Sequence, residues 1–151
     1  TLTTEIVALD QHLTVVAAAD PIVQRLQTVP GVGPVVALTF RAFIDDVQRF
    51  ASAARVSAAV GLVPREASSA ERQHRGHVTK AGPRELRSLL VQAAWVAWRS
   101  CRRGPLRQWT DHLAARRGKR IAVVALARRL SRILFAIWRD ATVFEGSRVA
   151  A

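Results

Sequence analysis

Residues 61–90 read GLVPREASSAERQHRGHVTKAGPRELRSLL: an apolar helix end, an extended polar loop, then a basic amphipathic helix. Gly61 suits the left-handed position that closes a helix, and Pro64 holds the residue before it extended. From Arg65 to His77 there is neither a helical nor a strand period, only small and charged residues. Pro83 then supplies a favourable first helical position, with Arg84 and Arg87 three apart on one face. Ser68 and Ser69 lie in the loop, close in sequence to Arg65, Arg72, Arg75 and Lys80. Hydroxyls among cations, beside a helix N-terminus, suit a phosphate.

Upstream, Phe50 and the Ala-rich run Ala51 to Val60 read as a helix of small residues, packed closely on its neighbours and stopped by Gly61. Before it, Val29-Pro30-Gly31-Val32-Gly33-Pro34-Val35-Val36-Ala37 matches the helix-hairpin-helix pattern, placing that motif at 21–44. Two glycines let such a turn present consecutive backbone N–H groups at a helix start. With the helix dipole, those groups hold one DNA phosphate without reading sequence. A structural turn between two packed helices accounts for the same residues. Asp45 and Asp46 fall beyond the second helix, where a helix-terminal or loop role is favoured over a metal. Asp20-Pro21 pairs an N-cap with proline at the first helical position, opening a short helix to about Thr28. Residues 4–19 carry Ile6, Leu9, Leu13 and Val16 at three- and four-residue steps, a narrow stripe suited to a coiled-coil seam or to another domain. So abrupt a start suggests the C-terminal part of a longer chain.

Downstream, Pro83 to about Arg103 forms a long helix that buries Leu86, Leu89, Leu90, Ala93, Ala94 and Ala97, with Trp95 and Trp98 alongside. Tryptophans in that setting serve a core more often than a base-stacking platform. Gly104-Pro105 breaks the helix, Leu106 to Arg117 makes another, and Gly118 separates it from a last helix, Arg120 to about Ala141. That helix is expected to bury Ile121, Val124, Leu130, Ile133, Leu134 and Ile137, and to show Arg128, Arg129 and Arg132 to solvent. Residues 145–151 are expected to be a disordered tail. The fold class expected is all-α, with a helix-hairpin-helix motif and one long basic loop carrying the serine pair.

With 151 residues, 50% of them apolar, the chain can bury the core of one domain. No uninterrupted run of apolar residues is long enough to span a membrane, and TLTTEIVALD lacks the basic and apolar regions of a signal peptide. The single cysteine, Cys101, excludes an intrachain disulfide and a cysteine cluster for zinc. A cytoplasmic protein fits all three. Charge is the strongest global feature: 23 Lys and Arg against 11 Asp and Glu, a net +12. Residues 1–50 hold three basic and five acidic residues, whereas residues 99–132 hold eleven basic residues against Asp111 alone. Such polarisation points to a polyanion, most simply nucleic acid.

For chemistry, the candidate nucleophiles are Ser68, Ser69, Thr79 and Cys101, with His74 and His77 as candidate bases. No Gly-x-Ser-x-Gly elbow is present, and no Ser, Asp and His set has persuasive spacing. A serine attacking a phosphodiester needs the pentavalent transition state neutralised, for which clustered Arg and Lys serve. On these residues alone, a loop that contacts phosphate is favoured over a catalytic serine.

The same residues resemble the C-terminal transposase domain of the insertion-sequence one-ten family, the DEDD-type transposases of bacterial mobile elements. The match begins at Val29-Pro30-Gly31-Val32-Gly33-Pro34 and Asp46…Arg49-Phe50. It runs through Gly61-Leu62-Val63-Pro64-Arg65-Glu66, Ser68-Ser69 and Thr79-Lys80-Ala81-Gly82 to Leu86-Arg87, Leu89-Leu90 and Gln92-Ala93-Ala94-Trp95. Order and spacing fit from about residue 5 to 100. The resemblance implies an RNA-guided recombinase with an N-terminal nuclease-like domain of four acidic residues, a coiled-coil linker and this C-terminal domain. It implies a serine that attacks the DNA backbone and forms a phosphoserine link. The family's serine directly precedes a small residue, usually Gly, which selects Ser69 before Ala70 and leaves Ser68 as second choice. Ala70 and Glu71 stand where the family commonly has glycines, and Ala67 where an aromatic is common.

The expectation is therefore a DNA-binding and strand-cleaving half of a transposase, with residues 1–28 ending the linker and 29–144 forming the C-terminal domain. Ser69, or Ser68, is the nucleophile. Arg65, Arg72, Arg75, Lys80, Arg84 and Arg87 meet the scissile or neighbouring phosphates, and Gly31 and Gly33 open the hairpin. Arg116, Arg117, Lys119, Arg120, Arg128 and Arg129 follow the backbone of DNA or guide RNA. The chain itself is expected to hold no cofactor and no metal, a divalent metal belonging to the N-terminal domain. The expected partners are DNA, a guide RNA, that domain and further copies of the chain, in the bacterial cytoplasm at the nucleoid. The alternative is a non-catalytic helix-hairpin-helix module that grips nucleic acid.

Overall fold

The computed structural model describes residues 1–69 and 72–146, and for 65–69 and 72–77 the backbone alone. Seven α-helices appear among the described residues: α1 Leu2–Ala19, α2 Pro21–Leu26, α3 Pro34–Ile44, α4 Ala53–Val60, α5 Arg84–Ser100, α6 Pro105–Arg117 and α7 Lys119–Asp140. Their ends follow from local chemistry. Asp20 Oδ1 accepts the Ile22 N–H at 2.9 Å, with Pro21 at the first turn of α2. Ser52 caps α4, and Gly61 closes it in the left-handed conformation. Asp45 ends α3 and Asp46 caps the short 3-10 turn Val47–Arg49, the helix-terminal roles expected of that acidic pair.

The all-α class holds, because helices supply the core. α7 is its axis, packed against α2, α4, α5 and α6. Phe40, Ile44, Val56, Val60, Leu86, Leu90, Leu126, Leu130, Leu134 and Phe135 are fully or almost fully buried around it. Small residues set the helix spacing: Ser57 Oγ and Ser131 Oγ meet at 3.0 Å inside the core, joining α4 to α7. α5 buries Leu86, Leu90, Ala93, Ala94 and Ala97 as expected, while Leu89 is half-buried. Trp95 and Trp98 are half-buried and stacked, with ring centroids 5.7 Å apart. The Trp98 indole N–H donates to Asp111 Oδ1 at 2.8 Å, and Arg107 Nε lies 2.9 Å from Asp111 Oδ2, tying α5 to α6. Those hydrogen bonds, first from Trp98 and then from Arg107, hold the Asp111 carboxyl below its ordinary pKa.

Two sequence expectations are corrected. Residues 64–78 are not an extended loop: Pro64–Ser69 (β1) and Arg72–Val78 (β2) pair as an antiparallel ribbon. The ribbon lacks the apolar alternation that betrays a half-buried strand, so no period marks it. On α7, Leu130, Leu134 and Ile137 are buried as expected, but Ile121 is 47% exposed, Val124 and Ile133 are half-buried, and Arg128 and Arg129 are half-buried rather than solvated. Ala122, Val123, Leu126, Ala127 and Ser131 take the inner positions. A helix enclosed by four others buries more than one stripe, and its small residues point where neighbours come closest.

At the other extreme, α1 buries Ala17 and leaves Leu2, Ile6, Leu9 and Val16 exposed, so most of the narrow stripe is uncovered in this chain. Ala70, Glu71 and the tail from residue 147 lie outside the described residues, as do the side chains of Arg65, Ser68, Ser69, Arg72 and Arg75. No helix among the described residues is long and apolar enough to cross a membrane.

The revised α7 face is testable by urea unfolding. Leu126→Ala should cost about 2–5 kcal/mol, as for a fully buried leucine. Ile121→Ala should stay within about 0.5 kcal/mol of the parent chain. Equal losses at both positions would restore the face expected from sequence.

Candidate nucleic-acid interface

The serine pair is carried by the ribbon. Glu66 pairs with Arg75, Ala67 with His74, Ser68 with Gln73 and Ser69 with Arg72, so Ser69 forms the last register pair before the Ala70–Glu71 connection. At about 3.3 Å per residue, that pair lies roughly 17 Å along the strand from Pro64. The base of the ribbon is fixed to the helical body by backbone contact. A Cβ on Gly61 (φ +81°) would come 2.0 Å from the Ala81 carbonyl oxygen, and one on Gly82 (φ +86°) would come 2.0 Å from that of Ala59. Only glycine fits at either place. The Thr79 N–H donates to Val63 O at 3.0 Å and the Lys80 N–H to Gly61 O at 3.1 Å, continuing the pairing into the body.

Arg87 closes this junction. Its Nη1 donates to Val60 O at 3.3 Å and to Ala81 O at 3.4 Å, so one guanidinium spans the end of α4 and the strand returning from β2. Lys80, exposed on the same turn, has a left-handed backbone (φ +53°), a conformation that costs a lysine about 1–3 kcal/mol. Arg84 is exposed at the start of α5. Lys80, Arg84 and Arg87 thus gather where the ribbon leaves the body.

The other expected contacts divide into two groups. Arg116, Arg117, Lys119 and Arg120 are all exposed around Gly118, at the junction of α6 and α7. Arg129 instead lies with its guanidinium carbon 4.6 Å from the Trp109 ring centroid, and burial, then the charge of Arg132, lower its pKa. That pairing joins residues twenty positions apart and left no sequence signal beyond one aromatic on the preceding helix. In the 27–34 turn, a Cβ on Gly31 would strike the Ala93 carbonyl of α5 at 2.2 Å, whereas Gly33 has open space around it and starts α3 without a side-chain cap. Gly31 therefore serves close packing of the turn on α5.

A helical body thus carries a glycine-locked ribbon at one place and four crowded, exposed cations at the α6–α7 junction. Comparison with known proteins gives its family: residues 23–109, more than half of the chain, match the Transposase IS116/IS110/IS902 family, and the chain belongs to it. It is similar to the transposase for insertion sequence element IS1111A of Coxiella burnetii, 35% identical across 85% of this chain and 36% of that protein. The transposase for insertion sequence element IS1328 of Yersinia enterocolitica is 33% identical across 90% of this chain and 40% of its own length. An insertion element IS110 protein of Streptomyces coelicolor is 31% identical across 95% of this chain and 35% of its length. The chain thus spans about two fifths of the curated relatives it matches.

The junction predicts opposite outcomes for two neighbouring cations. Arg87→Ala, leaving two carbonyls without their donor, should destabilise the chain by about 1–3 kcal/mol. Lys80→Gly, which relieves the left-handed lysine, should leave stability unchanged or raise it by up to about 1 kcal/mol. Denaturant unfolding of both variants checks this, and a neutral Arg87→Ala would remove the clamp.

Proposed function

We propose that the chain is the DNA-binding and strand-cleaving part of an insertion-sequence transposase. Ser69 at the end of β1 attacks a DNA phosphodiester. Its Oγ bonds to phosphorus, the bond from phosphorus to one DNA oxygen breaks, and the released DNA hydroxyl takes up the proton that the serine gives up. The product is a phosphoserine link, with Ser68 as the second-choice nucleophile. Arg65, Arg72 and Arg75 on the ribbon, with Lys80, Arg84 and Arg87 at its base, neutralise the scissile and neighbouring phosphates. Arg116, Arg117, Lys119 and Arg120 follow the backbone of DNA or of a guide RNA. The turn before α3 acts as the helix-hairpin-helix, with Gly33 on its open side.

The observation that carries this reading is the register pair Ser69 and Arg72 at the ribbon's end, on a base lined by further cations. On this reading the divalent metal belongs to an N-terminal nuclease-like domain that acts with this one. Among the described residues no group of three or more His, Cys, Asp or Glu gathers. The uncovered stripe of α1, Leu2, Ile6, Leu9 and Val16, suits the coiled-coil linker and a homo-oligomer. The second reading, a non-catalytic clamp, rests on the same cations without the serine chemistry.

A covalent-trapping assay decides between them. With the N-terminal domain, the RNA and nicked labelled DNA supplied, a DNA–protein band that survives denaturation should form in the parent chain. It should vanish in Ser69→Ala and persist in Ser68→Ala. Salt-sensitive binding with no band in any variant would establish the clamp. Replacing Arg116, Arg117, Lys119 and Arg120 by Ala should flatten the log–log salt dependence of duplex binding by up to about 3.6, at about 0.9 for each phosphate no longer neutralised. An unchanged slope would take the α6–α7 junction out of the interface.

A further inference from the structure

On the outer side of α5, Gln92, Val96 and Arg99 are exposed and Trp95 is half-buried. Spaced at three and four residues, the four share one face, and together they line a surface depression of about 390 Å³. Trp95 packs against the core, and Trp98 stacks on it with an interplanar angle of 20°. Trp98 is itself anchored: its indole N–H donates to Asp111 Oδ1 and its carbonyl accepts from Arg107 Nη1. Trp98 takes no part in the lining, so Trp95 meets the depression with surface that Trp98 leaves uncovered. Arg102 and Arg103 follow the helix, both exposed and at most about 14 Å of chain beyond Arg99. Among the described residues no carboxylate pairs with Arg99, Arg102 or Arg103. Glu85, at the far end of α5, lies about 21 Å along the helix from Arg99, and Asp111 is engaged by Trp98 and Arg107. The helix dipole is equivalent to about half a charge at this end, too little to account for three arginines.

We propose that this outer face of α5 binds an unpaired segment of a nucleic-acid strand, one base against Trp95 and the adjoining phosphates at Arg99, Arg102 and Arg103. The inference adds a second contact surface to the nucleic-acid reading above and rests on it. An unstacked base offers an aromatic face to tryptophan, and the backbone beside it carries the charge that arginines meet. Trp95 and Arg99 stand four residues apart, about 6 Å along the helix, so both reach one nucleotide. A ring held by the core and by an anchored neighbour loses little freedom when a base covers it. Base pairs in a duplex keep their faces covered by stacking, so a duplex meets the arginines alone. An acidic peptide would likewise satisfy the arginines and leave Trp95 without an aromatic partner.

The test uses the chain labelled with 5-fluorotryptophan, in which Trp95→Phe identifies the Trp95 fluorine resonance. A short single-stranded oligodeoxycytidine should shift that resonance, whereas the same strand annealed to its complement, or a poly-glutamate of equal charge, should not. Arg99→Glu, an exposed substitution that leaves the core untouched, should weaken single-strand binding about tenfold, a phosphate contact turned into a repulsion. Single-strand binding that leaves Trp95 unmoved, or that Arg99→Glu does not weaken, would overturn the α5 site and leave the nucleic-acid reading intact. An equal shift with duplex would overturn the unpaired-strand class, and an equal shift with poly-glutamate would assign the face to an acidic peptide instead. Failure of both nucleic-acid forms to bind would remove both readings.

Discussion

Where the end of α4 meets the chain returning from β2, backbone lies against backbone with no room for a side chain at Gly61 or Gly82. This close approach sets everything beyond it. It aligns Val63 with Thr79 and Gly61 with Lys80, and the register of the ribbon follows from those first bonds. It also holds Lys80 at positive φ, a strain that persists only where surrounding structure over-determines it. An isolated two-stranded ribbon is marginal in water. Here the pairing begins on a rigid base, so the ribbon's residues are free of any requirement for an apolar face. Its sequence is accordingly one of charged and small residues, which suits the phosphate chemistry proposed above.

Arg87 shows how a cation belongs to fold and site together. A guanidinium has five donors, and two carbonyl contacts at Nη1 bind the junction without discharging it. Its positive charge stays at the foot of the ribbon, beside Lys80 and Arg84. Reading the sequence as a loop followed by a helix placed Arg87 near phosphate but gave no hint that it also holds α4 and residue 81 together. That second role depends on carbonyls contributed by residues 60 and 81, which only the folded chain unites.

Helix ends were legible because they are local: Asp20-Pro21, Gly61, Gly104-Pro105 and Gly118 each act on their own turn. The serine pair was singled out by its basic neighbours in sequence and by the resemblance to a family, and its chemistry stays with the proposal. The ribbon was not, since strand periodicity reports burial of one face. The inner face of α7 was read only partly, because periodicity assumes one partner surface and α7 has four. Pairings such as Arg129 on Trp109, Arg41 4.7 Å from the Trp138 centroid and Phe144 on Thr28 are tertiary and carry no sequence spacing.

The distribution of charge follows from the same division between internal and external duty. Arg41 serves the body through Asp20 and Trp138, and Arg107 serves it through Asp111 and the Trp98 carbonyl. The one acid of residues 99–132, Asp111, is already engaged by Arg107 and Trp98, while Arg116, Arg117, Lys119 and Arg120 crowd the α6–α7 junction. Self-repulsion among them works against the folded domain, most strongly at low salt where screening is weak. A bound polyanion reverses the sign of that term. Under the function proposed above, charge on the α6–α7 junction destabilises the domain while it is empty and contributes to binding when it is occupied. The apolar packing around α7 and the glycine contacts under the ribbon keep the domain folded in the interval.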